Sequence, residues 1–322
     1  MAFAFQGRRG SAVAGVLLLA ACGSAGFSTP SALAPAESVQ AGAHTDHVIV
    51  VSIDGLRPDA IARYEARTLQ RLIAEGSFSL EATTIMPSRT LPSHTSMLTG
   101  VEPDVHGITW NTEEVDEHGH VATPTIFVAA HAAGFSTAAF FSKSKFQHLA
   151  VPGSLDYVQV PDGWPGKWTS ERTVNDVERY LASGARPNLL FVHLAEPDFV
   201  GHVAGWMTPP YGWAVREADE QLAELLGIAD RAFGAGNYTV LVTADHGGHG
   251  RDHGSADPRD VTIPWIAWGK GVEASALEPG IRTMDTAATA LWLLGVEPAA
   301  GTEGEPVMAA FSDAAPVLAT AR

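Results

Sequence analysis

The side chains best suited to chemistry stand close together late in the chain: Asp245, His246, His249 and His253. They follow residues 238–242, a β-branched and apolar run that is typical of a buried strand. In open α/β sheets, ligands bind at the carboxyl ends of the strands. Because neutral histidine is the commonest metal ligand, we interpret this stretch as part of a metal site. A polar surface loop is the simpler alternative, but such a loop needs no donors packed against a core strand.

Two earlier apolar runs also lead into potential ligands. One ends in Asp54, and the other runs into a loop with Asp198 and His202, which are four residues apart. On one helical turn, or a loop resembling it, groups at this spacing can meet a single ion. Asp54 could cap the helix that follows, yet Asp59 is the predicted cap, which leaves Asp54 free for a ligand role.

Carboxylates and imidazoles therefore follow three apolar strands: Asp54, Asp198, His202, Asp245, His246 and His253. They are too many for one tetrahedral zinc ion but suit two. Two metal ions a few ångströms apart can stabilise both the attacking and the leaving oxygen of a phosphoryl transfer.

A hydroxyl-rich stretch, residues 83–100, offers a nucleophile. Pro92 fits the first turn of a helix, so Thr90 would lie just ahead of a helix N-terminus, where free N–H groups favour anions. With a metal beside it, a hydroxyl there can ionise near neutral pH and attack. Helix capping by Thr90 or Ser93 is an equally good interpretation. Asn111 can donate an amide hydrogen bond to an oxyanion, although most loop asparagines only form turns.

The elements that must position these groups alternate between strand and helix patterns, which favours an α/β fold. Strands are predicted at 47–53, at 136–141, from 187 onward, at 238–242 and at 263–269. Helices are predicted at 60–75, 92–98, 125–133, 214–232 and 283–294. The segment 142–169 has no regular pattern; it either shapes a substrate pocket or is a surface excursion with buried tryptophans.

Composition bounds the function further. The 322 residues suffice for one large α/β domain or two small ones. A hydrophobic fraction of 46% against 17% charged residues indicates a folded core rather than a disordered chain. The formal net charge of -16 disfavours binding to duplex nucleic acid, although it is compatible with a local metal site.

The N-terminus has the pattern of a bacterial lipoprotein signal. Residues 1–21 contain two arginines and then a short apolar run that ends in Leu-Ala-Ala before Cys22. We therefore expect cleavage after residue 21, a lipid anchor on Cys22, and a flexible tether over residues 22–45. The protein is then an exported cell-envelope lipoprotein on the periplasmic or extracellular face, or is released in a secreted form. An ordinary secretory signal is the alternative. As Cys22 is the only cysteine, no intrachain disulfide can form.

Five ordered motifs in the remaining chain resemble those of the alkaline phosphatase superfamily, and most closely its nucleotide pyrophosphatase/phosphodiesterase branch. The motifs are SIDGLRPD at 52–59, TLPSH at 90–94 running to LTG at 98–100, HGI at 106–108, PD with GH at 197–202, and TADHG at 243–247. The resemblance covers most of residues 46–310. It implies one catalytic domain over 46–322, with an alkaline-phosphatase-like, doubly wound, mostly parallel central sheet and helices on both faces.

The resemblance also implies the site. One zinc ion would be held by Asp54, Thr90, Asp245 and His246, and a second by Asp198, His202 and a late histidine; manganese is the alternative metal. Thr90 would be the nucleophile that forms a phosphothreonine intermediate, and Asn111 would hold a phosphoryl oxygen. The chain departs from the branch at Ser93, where asparagine is usual, and in the late histidine. His253 is preferred over His249 for that role because the chain then runs directly into the strand at 263–269.

The implied activity is hydrolysis of small-molecule phosphodiesters or nucleotide pyrophosphate bonds. A phosphomonoesterase or phosphonate hydrolase of the same superfamily is the alternative enzyme. A sulfatase is disfavoured, because it needs a cysteine or serine where Thr90 stands and an arginine where His94 stands. From another class, a metal-binding surface lipoprotein without catalysis is the alternative.

Overall fold

The computed structural model describes residues 44–162 and 169–312 of the chain. The predicted signal peptide, Cys22 and the tether up to residue 43 lie outside these ranges, as do Trp164 and Trp168 of the irregular segment. None of the helices in the described ranges combines the length and the apolar character that a membrane span requires.

The core of the fold is one eight-stranded sheet. Its strands are β1 (Val48–Ile53), β2 (Ser77–Thr83), β3 (Thr137–Phe140), β4 (Tyr157–Gln159), β5 (Leu189–Leu194), β6 (Thr239–Thr243), β7 (Thr262–Gly269) and β8 (Ser275–Ala276). Their order across the sheet is β4-β3-β5-β1-β6-β7-β2-β8. Only β7 runs antiparallel to its neighbours, so the predicted mostly parallel sheet is confirmed.

The central strands are buried along their whole length. Every residue of β1, β5 and β6 is buried, in keeping with the unbroken apolar runs that helices on both faces of a parallel sheet require. The strands predicted at 47–53, 136–141, 238–242 and 263–269 all form, with ends that shift by one residue or two.

Helices connect these strands. They are α1 (Pro58–Arg63), α2 (Arg67–Glu75), α3 (Thr90–Thr99), α4 (Pro103–His106), α5 (Val115–His118), α6 (Ile126–Ala132), α7 (Ser170–Ala182), α8 (Glu196–Ala204), α9 (Pro209–Phe233), α10 (Pro258–Val261) and α11 (Asp285–Leu293). Two groups pack separately: α2, α7 and α8 against α9, and α3 and α6 against α11.

The direction of the connections explains the two helix groups. From β1 to β2, from β3 to β5 and from β5 to β6 the chain moves across the sheet in one direction, and the helices of the first group lie in these connections. From β2 to β3 it moves back, through α3 and α6. Because crossovers between parallel strands are right-handed, opposite directions place helices on opposite faces. The sheet is therefore doubly wound, as predicted.

Three local predictions are wrong. The helix predicted at 60–75 is two helices, since the chain turns between them at Glu65, whose φ is 54°. Asp59 does not cap α1; it pairs with Arg57 at 2.6 Å, and Arg57 stands at the cap position. The segment 142–169 is not wholly irregular, because it forms a 3-10 helix, Ser144–Leu149, and the edge strand β4.

The sheet order brings the chemistry together. The strands β3, β5, β1 and β6 are consecutive neighbours, and their carboxyl ends lead to Lys143, Asp198, Asp54 and Asp245 respectively. Helix α3 also reaches this edge, because Ser93 on its first turn donates its hydroxyl to the backbone oxygen of Asp245 at 2.7 Å.

Candidate active site

Four predicted residues form a buried group, the inner cluster: Asp54, Thr90, Asp245 and His246. Its donor atoms surround Nε2 of His246. Asp245 Oδ2 lies 3.2 Å from that nitrogen, Thr90 Oγ1 lies 3.4 Å away, and Asp54 Oδ1 lies 3.5 Å away. The turn after β1, helix α3 and the loop after β6 thus present oxygen and nitrogen donors to one point.

Three more predicted residues form the outer cluster: Asp198, His202 and His253. Asp198 Oδ1 lies 3.3 Å from His202 Nε2 and 3.6 Å from His253 Nε2, and the two histidine nitrogens are 3.2 Å apart. Asp198 and His202 stand four residues apart on α8, as their spacing predicts. The clusters adjoin, because Asp198 Oδ1 is 3.9 Å from Nε2 of His246.

The histidines of both clusters are oriented in the same way. Each donates its Nδ1 proton to a backbone carbonyl: His246 to Gly247 at 2.8 Å, His253 to Ser88 at 2.8 Å, and His202 to Arg251 at 3.0 Å. A neutral imidazole with its proton on Nδ1 carries a lone pair on Nε2. All three Nε2 lone pairs therefore face the clusters, which is the arrangement that metal-binding histidines adopt.

The carboxylates leave one oxygen each without a partner. Among the described residues, Asp54 Oδ1, Asp198 Oδ1 and Asp245 Oδ2 are buried and make no hydrogen bond. A buried, unpaired carboxylate oxygen is costly unless a cation compensates it. At this site, two sets of residues each have donor atoms that all lie within 4.8 Å of one another. One set is Asp198, His202 and His253, and the other is Asp54, Asp198 and His246. These oxygen and nitrogen donors suit divalent metal ions.

The close packing of carboxylates and imidazoles shifts the pKa values of the cluster residues. Burial and the negative charges of Asp54 and Asp198 raise the pKa of Asp245 well above its ordinary value. Burial and the neighbouring His253 lower the pKa of His246 to about 3, so its imidazole is neutral at neutral pH. Burial alone would raise the pKa of Asp54, but the ammonium of Lys143 and the hydrogen bond from His193 hold it well below the ordinary value.

Thr90 lies at the start of α3 and at the wall of a cavity. It is the first residue of the helix, whereas the sequence predicts it just ahead of the helix. The cavity has a volume of about 500 Å³ and is also lined by Asn111, Lys145 and Phe199. The positive end of the helix dipole favours an anion at this point.

Asn111 faces the same cavity with its amide group. Its Oδ1 accepts hydrogen bonds from the backbone N–H of Leu91 at 2.8 Å and from Lys145 Nζ at 3.1 Å. Because both partners are donors, the oxygen is assigned unambiguously and the Nδ2 group is left free to donate. Burial lowers the pKa of Lys145 to about 8, and the positive charge of Lys143 is the second cause of this shift.

Several residues at the site escaped the prediction from sequence. Lys143 Nζ lies 2.6 Å from an oxygen of Asp54 and of Asp198, and His193 Nε2 lies 2.9 Å from Asp54 Oδ2. His193 is buried inside β5 and could have been noticed as a histidine in an apolar strand. Lys143 and Lys145 follow β3, where no motif marks them.

His249, the competitor for the late histidine, is held away from the clusters. Its Nδ1 lies 2.6 Å from Asp260 Oδ1, and the other oxygen of Asp260 accepts from Ser255 at 2.7 Å. The buried Asp260 thus ties together both ends of the loop that carries His253. The structure places His253, and not His249, beside His202.

A sequence model of the family described as type I phosphodiesterase / nucleotide pyrophosphatase matches residues 48–254. Among curated proteins, the chain is 26% identical over 283 residues to GPI ethanolamine phosphate transferase 1 of Gibberella zeae. That alignment covers 76% of this chain and 28% of the relative. The chain is also 26% identical over 224 residues to the bis(5'-adenosyl)-triphosphatase of Xenopus laevis, which covers 63% of this chain and 47% of that protein. The chain therefore matches less than half the length of these relatives.

Two solved structures share the architecture. Murine ectonucleotide pyrophosphatase/phosphodiesterase 5, as an inactive variant in complex with AMP, superposes with a TM-score of 0.70 at 17% identity, covering 83% of this chain and 100% of that one. A 2-O GAG sulfatase superposes with a TM-score of 0.67 at 14% identity, covering 83% and 74%. The likeness confirms the predicted alkaline-phosphatase-like α/β fold.

Proposed function

This chain belongs to the type I phosphodiesterase / nucleotide pyrophosphatase family, and on that basis we propose that it hydrolyses phosphodiester or nucleotide pyrophosphate bonds through a phosphothreonine intermediate. One observation carries the proposal. Three histidine nitrogens and three unpaired carboxylate oxygens lie in two adjoining clusters. The inner cluster includes the hydroxyl of Thr90, which lies at a helix N-terminus on the wall of a cavity. The substrate class is supported by the names of the relatives, among them a bis(5'-adenosyl)-triphosphatase.

We assign one zinc ion to the inner cluster and one to the outer cluster. When bound, these ions would lower the pKa of the Thr90 hydroxyl and neutralise negative charge on the phosphoryl and leaving oxygens. Thr90 Oγ1 would lose its proton and form a bond to phosphorus, while the P–O bond to the alcohol or phosphate leaving group breaks and that group takes up a proton. Water would then cleave the phosphothreonine and restore the hydroxyl.

The remaining groups of the cavity hold the transferred phosphoryl group. The free Nδ2 of Asn111 would donate a hydrogen bond to one of its oxygens, and its own orientation is kept by Leu91 and Lys145. Backbone N–H groups of the first turn of α3 add a favourable field for the same charge.

A phosphomonoesterase is the second candidate, and Lys145 favours it. A phosphomonoester carries one more negative charge than a diester at the transferred group. The ammonium of Lys145, 3.1 Å from Asn111 Oδ1 in the cavity wall, lies where it could balance that charge. Substituting Lys145→Met should therefore reduce monoester turnover more than diester turnover if the monoester is the true substrate.

The test measures turnover by zinc-loaded protein of bis-p-nitrophenyl phosphate, p-nitrophenyl phosphate and a nucleoside 5'-monophosphate p-nitrophenyl ester, beside Thr90→Ala. Faster turnover of the diesters that is lost in Thr90→Ala supports the proposal. Faster turnover of the monoester keeps the mechanism and moves the enzyme to the phosphatases. Zinc binding without turnover of any ester contradicts the proposal and favours the metal-binding lipoprotein.

A transferase is tested in the same assay. The relative from Gibberella zeae is named a phosphate transferase, so the acceptor could be an alcohol rather than water. When a small amino alcohol is added, hydrolysis should remain the main route for a hydrolase. Formation of a phosphodiester with the alcohol as the main product would instead support transfer.

We also propose that the protein is an exported cell-envelope lipoprotein. The support is the pattern of residues 1–21 and the position of Cys22, the only cysteine of the chain. Metabolic labelling with a radioactive fatty acid should mark the wild-type protein and leave Cys22→Ser unlabelled. Labelling of both proteins, or of neither, would contradict lipid attachment at Cys22.

A further inference from the structure

Lys143 lies between the two clusters and has no role in the reaction described above. We propose that it is a positioning residue that joins the clusters, by holding one oxygen of Asp54 and one of Asp198 while their other oxygens face the metals. The inference builds on the two-metal site of the proposed function. Lys143 would fix the position of Asp54 in the inner cluster relative to Asp198 in the outer cluster.

The two carboxylates divide their oxygens in the same way. Asp54 Oδ2 lies 2.6 Å from Lys143 Nζ and 2.9 Å from His193 Nε2, and Asp198 Oδ2 lies 2.6 Å from the same ammonium. The Oδ1 atom of each carboxylate is unpaired and faces the Nε2 atoms of the histidines. One ammonium therefore contacts one ligand from each cluster without blocking either ligand oxygen.

Lys143 is also fixed from its own side. It stands between β3 and the 3-10 helix Ser144–Leu149, and its side chain is only 9% exposed. The preceding Ser142 donates its hydroxyl to the backbone oxygen of His193, and the ring of Phe146 packs edge-on against the His193 ring at 4.7 Å. The segment that carries the lysine is thus anchored on the same histidine that binds Asp54.

The arrangement has a thermodynamic consequence. Without Lys143, two buried carboxylates would lose the ammonium that lies 2.6 Å from both of them, which strongly destabilises a fold. Metal ions supply positive charge to the same carboxylates, so they would compensate part of the loss. Removal of the ammonium should therefore destabilise the zinc-free protein more than the zinc-loaded protein.

The experiment compares melting temperatures in a chelator and at saturating zinc for wild type, Lys143→Met, Lys143→Arg and Lys145→Met. In Lys143→Met the zinc-free protein should melt on the order of 10 °C below wild type, with a smaller deficit in zinc. The shift produced by zinc is then larger than in wild type. Lys143→Arg keeps the charge and should melt near wild type. Lys145→Met removes a lysine that makes no ion pair with these carboxylates and attracts them only at longer range, so its zinc-induced shift should lie closer to wild type than that of Lys143→Met.

Several results would overturn the inference. Equal deficits with and without zinc in Lys143→Met would mean that the lysine only packs. A zinc-loaded Lys143→Met as stable as loaded wild type, or more stable, would mean that the lysine merely competes with metal. If Lys143→Met does not fold without zinc, the comparison uses zinc-free Lys143→Arg. If that variant, which keeps the positive charge, also fails to fold, the proposed role of the ammonium between Asp54 and Asp198 is wrong. No zinc-induced shift in wild type would remove its premise. These readouts need no turnover, so a protein that binds zinc and hydrolyses nothing would refute the proposed function and leave this inference standing.

Discussion

Replacing Asn111 should abolish most of the catalytic rate while leaving the metal clusters intact. The side chain has two separable halves. Its Oδ1 is occupied by Leu91 N–H and Lys145 Nζ, and its Nδ2 is free toward the cavity that Thr90 lines. Asn111→Ala removes both halves. Asn111→Asp keeps an oxygen for Leu91 and Lys145 and replaces the amide donor with a second oxygen.

The size of the effect follows from the chemistry of the lost donor. Removing one preorganised donor from a developing oxyanion costs about 2.7–4 kcal/mol, or roughly 10²–10³ in kcat. Asn111→Ala also leaves the N–H of the buried Leu91 without its partner, which costs about 1–3 kcal/mol of folding free energy. Asn111→Asp avoids that second loss, yet it places negative charge beside the phosphoryl group, so its kcat should fall at least as far.

The assay is kcat and kcat/KM for bis-p-nitrophenyl phosphate with zinc-loaded protein, beside the melting temperature of each variant. We expect both variants to be catalytically impaired and only Asn111→Ala to lose stability. A kcat within about threefold of wild type in both variants would refute the assignment, since a loss that small is below the contribution of any transition-state donor. Equal losses of stability in both variants would show that the two halves of the side chain are not separable.

Two other predictions concern the surroundings of the site. Asp260→Ala removes the hydrogen bonds to His249 and Ser255 that close the loop beside the outer cluster. The zinc affinity of that cluster, measured by chelator competition, should therefore fall about 10–100-fold. An unchanged zinc affinity would contradict this prediction. His106 accepts the Ile108 N–H at 3.0 Å on Nδ1 and must stay neutral; burial lowers its pKa from 6.5 to about 4. Because the unfolded state binds the proton more tightly, roughly 3 kcal/mol of unfolding free energy should be lost as pH falls from 6.5 to 4. His106→Gln should lack this part of the dependence of unfolding free energy on pH. An identical pH dependence in both proteins would refute the linkage.

The carboxylates and histidines of the two clusters could be found from the sequence because they follow strands. Asp54 and Asp245 come directly after unbroken apolar runs, and such runs are the clearest local signal for buried parallel strands. Asp198 and His202 keep the spacing of one helical turn. For these residues, local pattern alone indicates the element and the edge of the sheet.

The lysines could not be found in this way. Lys143 and Lys145 stand after a four-residue strand, in a segment without periodicity, and their roles depend on side chains far away in the sequence. The strand β2 (Ser77–Thr83) was also missed, because its buried and exposed residues alternate only in part and its partner β7 comes much later in the chain. The break at Glu65 between α1 and α2 carries no glycine or proline to announce it.

The most direct test of the proposed mechanism is to trap the covalent intermediate. Zinc-loaded protein is mixed with bis-p-nitrophenyl phosphate, quenched in acid, digested and analysed by mass spectrometry, with chelator-treated protein and Thr90→Ala as controls. We predict an added phosphoryl ester on the peptide that contains Thr90, and none in either control. Turnover with no modified peptide at any quench time, or modification of a residue other than Thr90, would contradict the proposed mechanism.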